Sequence, residues 1–130
     1  KTVTWISPPT RMDEAVLQQE GQYGLFGKIG ARREIPGCSL CMGNQARVRP
    51  GANVYSTSTR NFDNRMGRDA QCYLGSAELA AVVSILGRLP TKAEYLEHMQ
   101  KCISPFAKSI YTYLDFSQMS ARVVDYSVKA

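Results

Sequence analysis

Gln71-Cys72-Tyr73-Leu74-Gly75-Ser76-Ala77-Glu78-Leu79-Ala80-Ala81-Val82-Val83-Ser84-Ile85-Leu86-Gly87 reads as strand, cap and helix in one run. Gln71 to Leu74 is a brief extended piece. Gly75-Ser76 then caps a helix over Ala77–Leu86, and Gly87 ends it. That helix is apolar almost all round, and a helix of this kind is expected to be buried. Upstream, Val54 to Ser58 reads as a second strand, entered through Pro50-Gly51. The polar loop between the strands, Thr59 to Asp69, is dense in Arg and Asn.

Farther out the alternation repeats. Thr2 to Ile6 is a short β-rich run ended by Ser7-Pro8-Pro9. Thr10 opens a helix, with Asp13 as its capping-box partner. Met12, Val16, Gln19, Tyr23 and Phe26 recur at helical spacing, which predicts one helix running to a stop at Gly30. Arg32 to Ile35 reads as another short strand. Pro90-Thr91 starts a further helix with Glu94 in its first turn, and Ser104-Pro105 starts the next. Strands alternating with helices predict an α/β fold: a mostly parallel sheet flanked by helices, with a helical C-terminal extension. Residues 1–130 are expected to form a single unit, with an α/β part over 1–90 and a helical tail over 91–130.

Composition excludes several classes. Hydrophobic residues make 44% and charged residues 21% of the 130. Disordered, collagen-like and low-complexity readings therefore fail. No apolar run approaches the roughly 20 residues that span a bilayer, so no membrane partner is expected. The formal net charge of +5 suits an anionic partner and does not choose among nucleic acid, a membrane surface and a polycarboxylate. Four cysteines, two of them three apart and two solitary, suggest a metal or redox motif in a reducing compartment.

The sharpest chemical feature is Gly37-Cys38-Ser39-Leu40-Cys41-Met42-Gly43-Asn44. A Cys-x-x-Cys turn brings two thiols to one side, close enough to ligate one metal or cluster. The flanking glycines let the backbone approach it. Three chemistries use such a turn: a thioredoxin-like redox pair, half of a zinc site, and an iron–sulfur ligand pair. The redox reading lacks its usual neighbours. The zinc reading lacks a second pair, since Cys72 and Cys102 are far apart and His98 is the only histidine. The second feature is the segment Ser56 to Arg65, where Arg60 and Arg65 follow a strand. Their guanidinium forks could converge on a carboxylate-rich ligand, or the loop could be a solvated basic one. Cys72 and Cys102 read as core or half-buried thiols, His98 as a surface residue and Trp5 as packing.

Taken together and in this order, the motifs resemble the aconitase family, in particular its bacterial branch. Carrying the resemblance are Ser7-Pro8-Pro9-Thr10-Arg11-Met12-Asp13, the run Ile35 to Val48, Ser56 to Phe62 with Asn64-Arg65, and Ser76 to Ala81. It extends from about Trp5 to about Tyr113. The resemblance implies the C-terminal part of the third, cluster-bearing α/β domain of a longer parent. That parent would be a hydro-lyase of the tricarboxylic acid cycle, isomerising citrate and isocitrate through cis-aconitate. Homoaconitase and 2-methylisocitrate activities are near variants. A [4Fe–4S] cluster is implied on three cysteines, with Cys38 and Cys41 as two and the third outside this chain. Arg60 and Arg65 would hold substrate carboxylates, and Ser39 and Asn44 would lie beside the cluster ligands. The serine base belongs to a separate swivelling domain, so no catalytic residue is expected here and the isolated chain should be inactive. The partners implied are the tricarboxylate substrates and the remaining domains. Messenger RNA is a further implied partner in the cluster-free state, which makes an RNA-binding regulator one alternative function. The zinc or redox Cys-x-x-Cys module is another. The implied location is the bacterial cytoplasm, with the mitochondrial matrix also compatible.

Overall fold

The computed structural model describes residues 2–38 and 40–111. Lys1, Ser39 and the segment 112–130, about half of the expected helical tail, lie outside the described residues. The chain divides into two compact units, Lys1–Thr91 and Lys92–Ala130.

The first unit opens with β1 (Trp5–Ile6), which pairs in parallel with β2 (Arg32–Arg33). Both strands are short for a reason visible in sequence. Pro8 and Pro9 cannot donate to a ladder, and Pro36 ends the second extended piece. Two helices connect them: α1 (Arg11–Gln19) and α2 (Gln22–Lys28). The Thr10 hydroxyl accepts the Asp13 amide, and the Asp13 carboxylate accepts the Thr10 amide at 3.1 Å, so the expected capping box is present. The single helix expected across Thr10–Gly30 is divided. Gly21 takes a left-handed conformation (φ 72°), the Glu20 amide bonds the Val16 carbonyl, and the Gly21 amide bonds the Gln18 carbonyl. A glycine there adopts positive φ without a Cβ penalty, and that outweighs the apolar periodicity running through it. The stripe is split accordingly. Met12 and Val16 are exposed, while Tyr23 and Phe26 meet edge to face at 6.2 Å, with the Arg33 guanidinium 4.9 Å above the Tyr23 ring.

The strand pair β3 (Asn53–Ser56) and β4 (Gln71–Leu74) is also parallel, in the register Asn53↔Gln71 to Ser56↔Leu74. Parallel neighbours need a crossover of a dozen or more residues, usually a helix. Here residues 57–70 make the crossover as an irregular loop, and that loop carries both candidate arginines. The expected parallel pairing holds, in two two-stranded ladders rather than one sheet among the described residues.

Helix α3 (Ala77–Leu86) starts and stops as its sequence dictates. The Ser76 hydroxyl accepts the Leu79 amide at 3.2 Å, and Gly87 (φ 72°) sends its amide to Val83. Its burial differs from expectation. Only Val82 is buried, and Ile85 is 67% exposed. A two-stranded ladder is too narrow to cover a helix on all sides, so α3 is buried where it meets β3 and open elsewhere. The buried apolar side chains among the described residues are Ala46, Met66 and Val82. Two of these three belong to the loops around the cysteines and arginines.

In the second unit, α4 (Lys92–His98) runs into a π-helical turn over Met99–Ile103, a 3₁₀ turn over Ser104–Phe106, and α5 (Ala107–Ile110). The helix predicted from Ser104 therefore begins as a 3₁₀ turn, with Pro105 near its start. Cys102 on the π-helical turn is exposed rather than a core thiol. His98 is half-buried rather than on the surface. No helix among the described residues is long and apolar enough to cross a membrane.

Candidate metal and carboxylate site

Cys38 and Cys41 lie on one tight turn. The Met42 amide reaches back to the Cys38 carbonyl at 3.3 Å, and the Gly43 amide to Leu40 at 3.1 Å. Cys38 is exposed and Cys41 half-buried, and both are free thiols. Burial pushes the Cys41 thiol above its ordinary range, and the hydrogen bond and charge of the neighbouring Cys38 add to the rise. Arg65 and Arg60 pull it the other way. In the folded chain burial and the second thiol outweigh the positive charges. Two adjacent soft donors suit a thiolate-loving metal or an iron–sulfur cluster. No group of three or more His, Cys, Asp or Glu side chains converges among the described residues. The donor set thus fits two positions of such a centre.

Among the described residues Arg65 is the largest fully buried side chain, 1% exposed. A polar loop of this composition reads as solvated, but the guanidinium turns inward. Its Nη1 donates to the Cys41 carbonyl at 3.0 Å and the Leu40 carbonyl at 3.3 Å. Those two carbonyls belong to the cysteine turn, so Arg65 holds that turn from below. Its Nε and Nη2 are buried without a hydrogen-bond partner among the described residues. These two N–H groups form the side-on edge of the guanidinium, the edge that grips a carboxylate in bidentate fashion. A buried donor left unpaired costs about 1–3 kcal/mol, and more when charged, so this covered edge lacks an acceptor among the described residues.

Arg60 is exposed, and its Nη1 rests on the Met42 sulfur at 2.9 Å. A thioether is a weak acceptor and competes poorly with a carboxylate. Both candidate arginines therefore contact residues 40–42 of the cysteine turn. Asn44, also singled out, is exposed, and Ser39 lies outside the described residues.

Two further residues, Gly43 and Arg47, bind the loops together. Gly43 (φ 70°) lies flat against the Arg65 carbonyl, where a Cβ would come within 1.7 Å of the oxygen. Arg47 Nη1 donates to the Asn64 carbonyl at 3.1 Å and the Arg65 carbonyl at 3.5 Å. Gly43 was legible as a turn glycine, but its contact with a residue 22 positions away was not. Gly43→Ala forces both a left-handed alanine, at about 1–2 kcal/mol, and a backbone collision. With overpacking of about 1–3 kcal/mol added, the variant is expected to melt several degrees lower. An unchanged melting temperature in a thermal scan would refute the close approach.

The positive charge is dispersed. Arg32, Arg33 and Arg68 pair with Glu34, Glu14 and Asp69 at 3.5–3.8 Å, so these arginines do not form one basic face.

A family model described as the aconitase family (aconitate hydratase) matches residues 1–87. Aconitate hydratase B of Synechocystis is 61% identical over 115 residues, covering 88% of this chain and 13% of that protein. Aconitate hydratase B of Helicobacter pylori is 58% identical over 115 residues, covering 88% of this chain and 14% of that protein. The Escherichia coli protein of the same name is 58% identical over 119 residues, covering 92% and 14%. The chain thus spans about one seventh of the length of these relatives. The glycine-bounded cysteine turn, the arginine loop and the strand–helix frame beneath them all fall inside the matched segment, and the chain belongs to the aconitase family.

Proposed function

We propose that this chain is the C-terminal part of the cluster-bearing domain of an aconitase-type hydro-lyase, acting in the bacterial cytoplasm. The reaction is the interconversion of citrate and isocitrate through cis-aconitate, in the tricarboxylic acid cycle. One observation carries the reading: the unpaired, buried Nε–Nη2 edge of Arg65 belongs to the same guanidinium that holds the Cys38–Cys41 turn. A soft-metal donor pair and a carboxylate fork on two loops that touch through the Arg65 Nη1 group suit a centre where a metal cluster and a polycarboxylate meet.

Cys38 and Cys41 would supply two thiolates to a [4Fe–4S] cluster, with the third cysteine elsewhere in the parent. When bound, such a cluster supplies Lewis-acid assistance to departure of a hydroxyl as water. The chain's own residues do the binding and orienting. Arg65 offers its side-on edge to one carboxylate. Arg60, freed from the Met42 sulfur, offers a second charge. Asn44 and Ser39, close to the two cysteines in sequence, can hydrogen-bond at the cluster's edge. No residue here serves as the base that takes the carbon-bound proton; that group belongs to another part of the parent.

Iron and sulfide analysis with a cis-aconitate hydration assay tests this reading. The full-length parent is expected to carry the cluster and turn over cis-aconitate. The 130-residue chain alone, even after iron and sulfide treatment, is expected to show no turnover. Turnover by the isolated chain, or a parent without cluster or hydratase activity, would overturn it.

A further inference from the structure

We propose that Arg47 is a positioning residue for the carboxylate site, fixing the backbone beneath Arg65 so that the free edge of its guanidinium points one way. The inference rests on the function proposed above, although Arg47 itself is placed at neither the cluster nor the substrate.

The argument starts at Asn64, a non-glycine residue in the left-handed region (φ 60°). This reversal carries the chain from the exposed part of the loop into the buried triplet Arg65, Met66 and Gly67. Asparagine tolerates this conformation better than other non-glycine residues, and here two contacts fix it. The Asn64 side chain supplies one anchor, its Oδ1 accepting the Asp69 amide at 2.7 Å. Arg47 supplies the other. A single nitrogen, Nη1, straddles two consecutive carbonyls, those of Asn64 and Arg65. Donors carrying charge make roughly twice the hydrogen bond of neutral ones.

Arg65 is consequently held at both ends. Its carbonyl lies between Arg47 Nη1 and the bare face of Gly43, while its guanidinium is tied through Nη1 to Leu40 and Cys41. The Val48 amide, next to Arg47, also bonds the Met66 carbonyl at 2.9 Å, so the two loops are stitched on both sides of Arg65. Removing Arg47 takes away one backbone anchor and no ligand. The donors Nε and Nη2 stay in place but sample a wider range of directions. A bidentate fork is sensitive to direction, so the loss falls on substrate affinity rather than on cluster content.

The test uses Arg47→Gln and Arg47→Lys in the full-length parent. Glutamine is neutral and too short to reach either carbonyl. Lysine keeps a cationic N–H donor about one bond shorter. Because Arg47 uses only one nitrogen for both contacts, lysine is a meaningful rescue, which it is not at a fork. Arg47→Gln is expected to raise KM for citrate tenfold or more, with kcat within threefold of wild type and cluster absorption and iron content unchanged. Arg47→Lys is expected to recover most of the KM. Iodoacetamide labelling of the cluster-free enzyme gives a readout independent of activity. The Cys41 rate is expected to rise severalfold in Arg47→Gln, with Cys102 unchanged. Unchanged KM and unchanged Cys41 labelling would overturn the proposal, as would a lowered melting temperature with normal KM. If Arg47→Gln yields no folded protein, a KM elevated severalfold in Arg47→Lys supports the proposal and a normal one overturns it. A wild-type parent without cluster and turnover defeats the proposed function instead, and the labelling comparison still decides the clamp.

Discussion

Replacing Cys38 or Cys41 by serine in the full-length parent is expected to abolish the iron–sulfur cluster and with it hydratase turnover. The two thiols share one turn, closed by the Met42 and Gly43 amides, and Cys41 already feels Cys38 as its neighbour. A hydroxyl in place of either leaves a cluster iron without its soft, charged ligand. Losing a mere outer hydrogen-bond partner of a metal ligand costs about 10–100-fold in metal affinity or activity, so losing the ligand itself should cost more than roughly 100-fold in turnover. The visible absorption of the cluster and the sulfide content should fall together. The fold should survive, because Cys38 is exposed and the bonds that shape the turn are made by backbone groups. Normal absorption and activity in both variants would remove the cluster from this turn.

Arg65→Lys is expected to lower kcat/KM tenfold or more, at about 1.4 kcal/mol per factor of ten. Lysine keeps the charge and can still reach toward a carbonyl, but it has no side-on edge. Read as a loop residue, Arg65 would bind substrate and leave stability untouched. Its 1% exposure and its bonds to Leu40 and Cys41 add a second consequence. Hydrogen bonds to charged groups contribute about 1.5–3 kcal/mol, so the melting temperature should also fall. The two effects separate by adding ligand. On the proposed reading a tricarboxylate would give Nε and Nη2 the acceptor they lack among the described residues, and should raise the wild-type melting temperature in a concentration-dependent way. That rise should shrink in Arg65→Lys. Normal kinetics with a lowered melting temperature would leave Arg65 a purely structural residue and undo the carboxylate reading. Arg60→Lys is the internal comparison. Arg60 is exposed and leans on a thioether, so its replacement should reduce kcat/KM with little change in melting.

Local chemistry was readable wherever one residue's needs settle the outcome. Thr10 and Asp13 close a capping box whatever surrounds them, and Ser76 and Gly87 bound α3 at the expected residues. Pro8, Pro9 and Pro36 stop strands because they lack a donor. The spacing of Cys38 and Cys41 puts two thiols on one turn through local geometry alone. Periodicity was less decisive. The stripe from Met12 to Phe26 suggested one helix, but Gly21 could adopt a left-handed conformation at little cost and the helix divided there. Burial of α3 was not readable from its own composition, since burial depends on how much neighbouring surface exists to cover it. The joining of the two loops was likewise invisible in sequence. Gly43 against the Arg65 carbonyl, Arg47 on Asn64 and Arg65, and Arg65 on Leu40 and Cys41 are contacts between residues 17 to 25 positions apart. Sequence alone offered Cys38 and Cys41 as candidate metal donors and Arg60 and Arg65 as candidate carboxylate forks. Tertiary structure decided that Arg65 meets the cysteine turn and that one edge of its guanidinium has no partner among the described residues, because only the folded backbone brings those carbonyls within reach of a buried guanidinium.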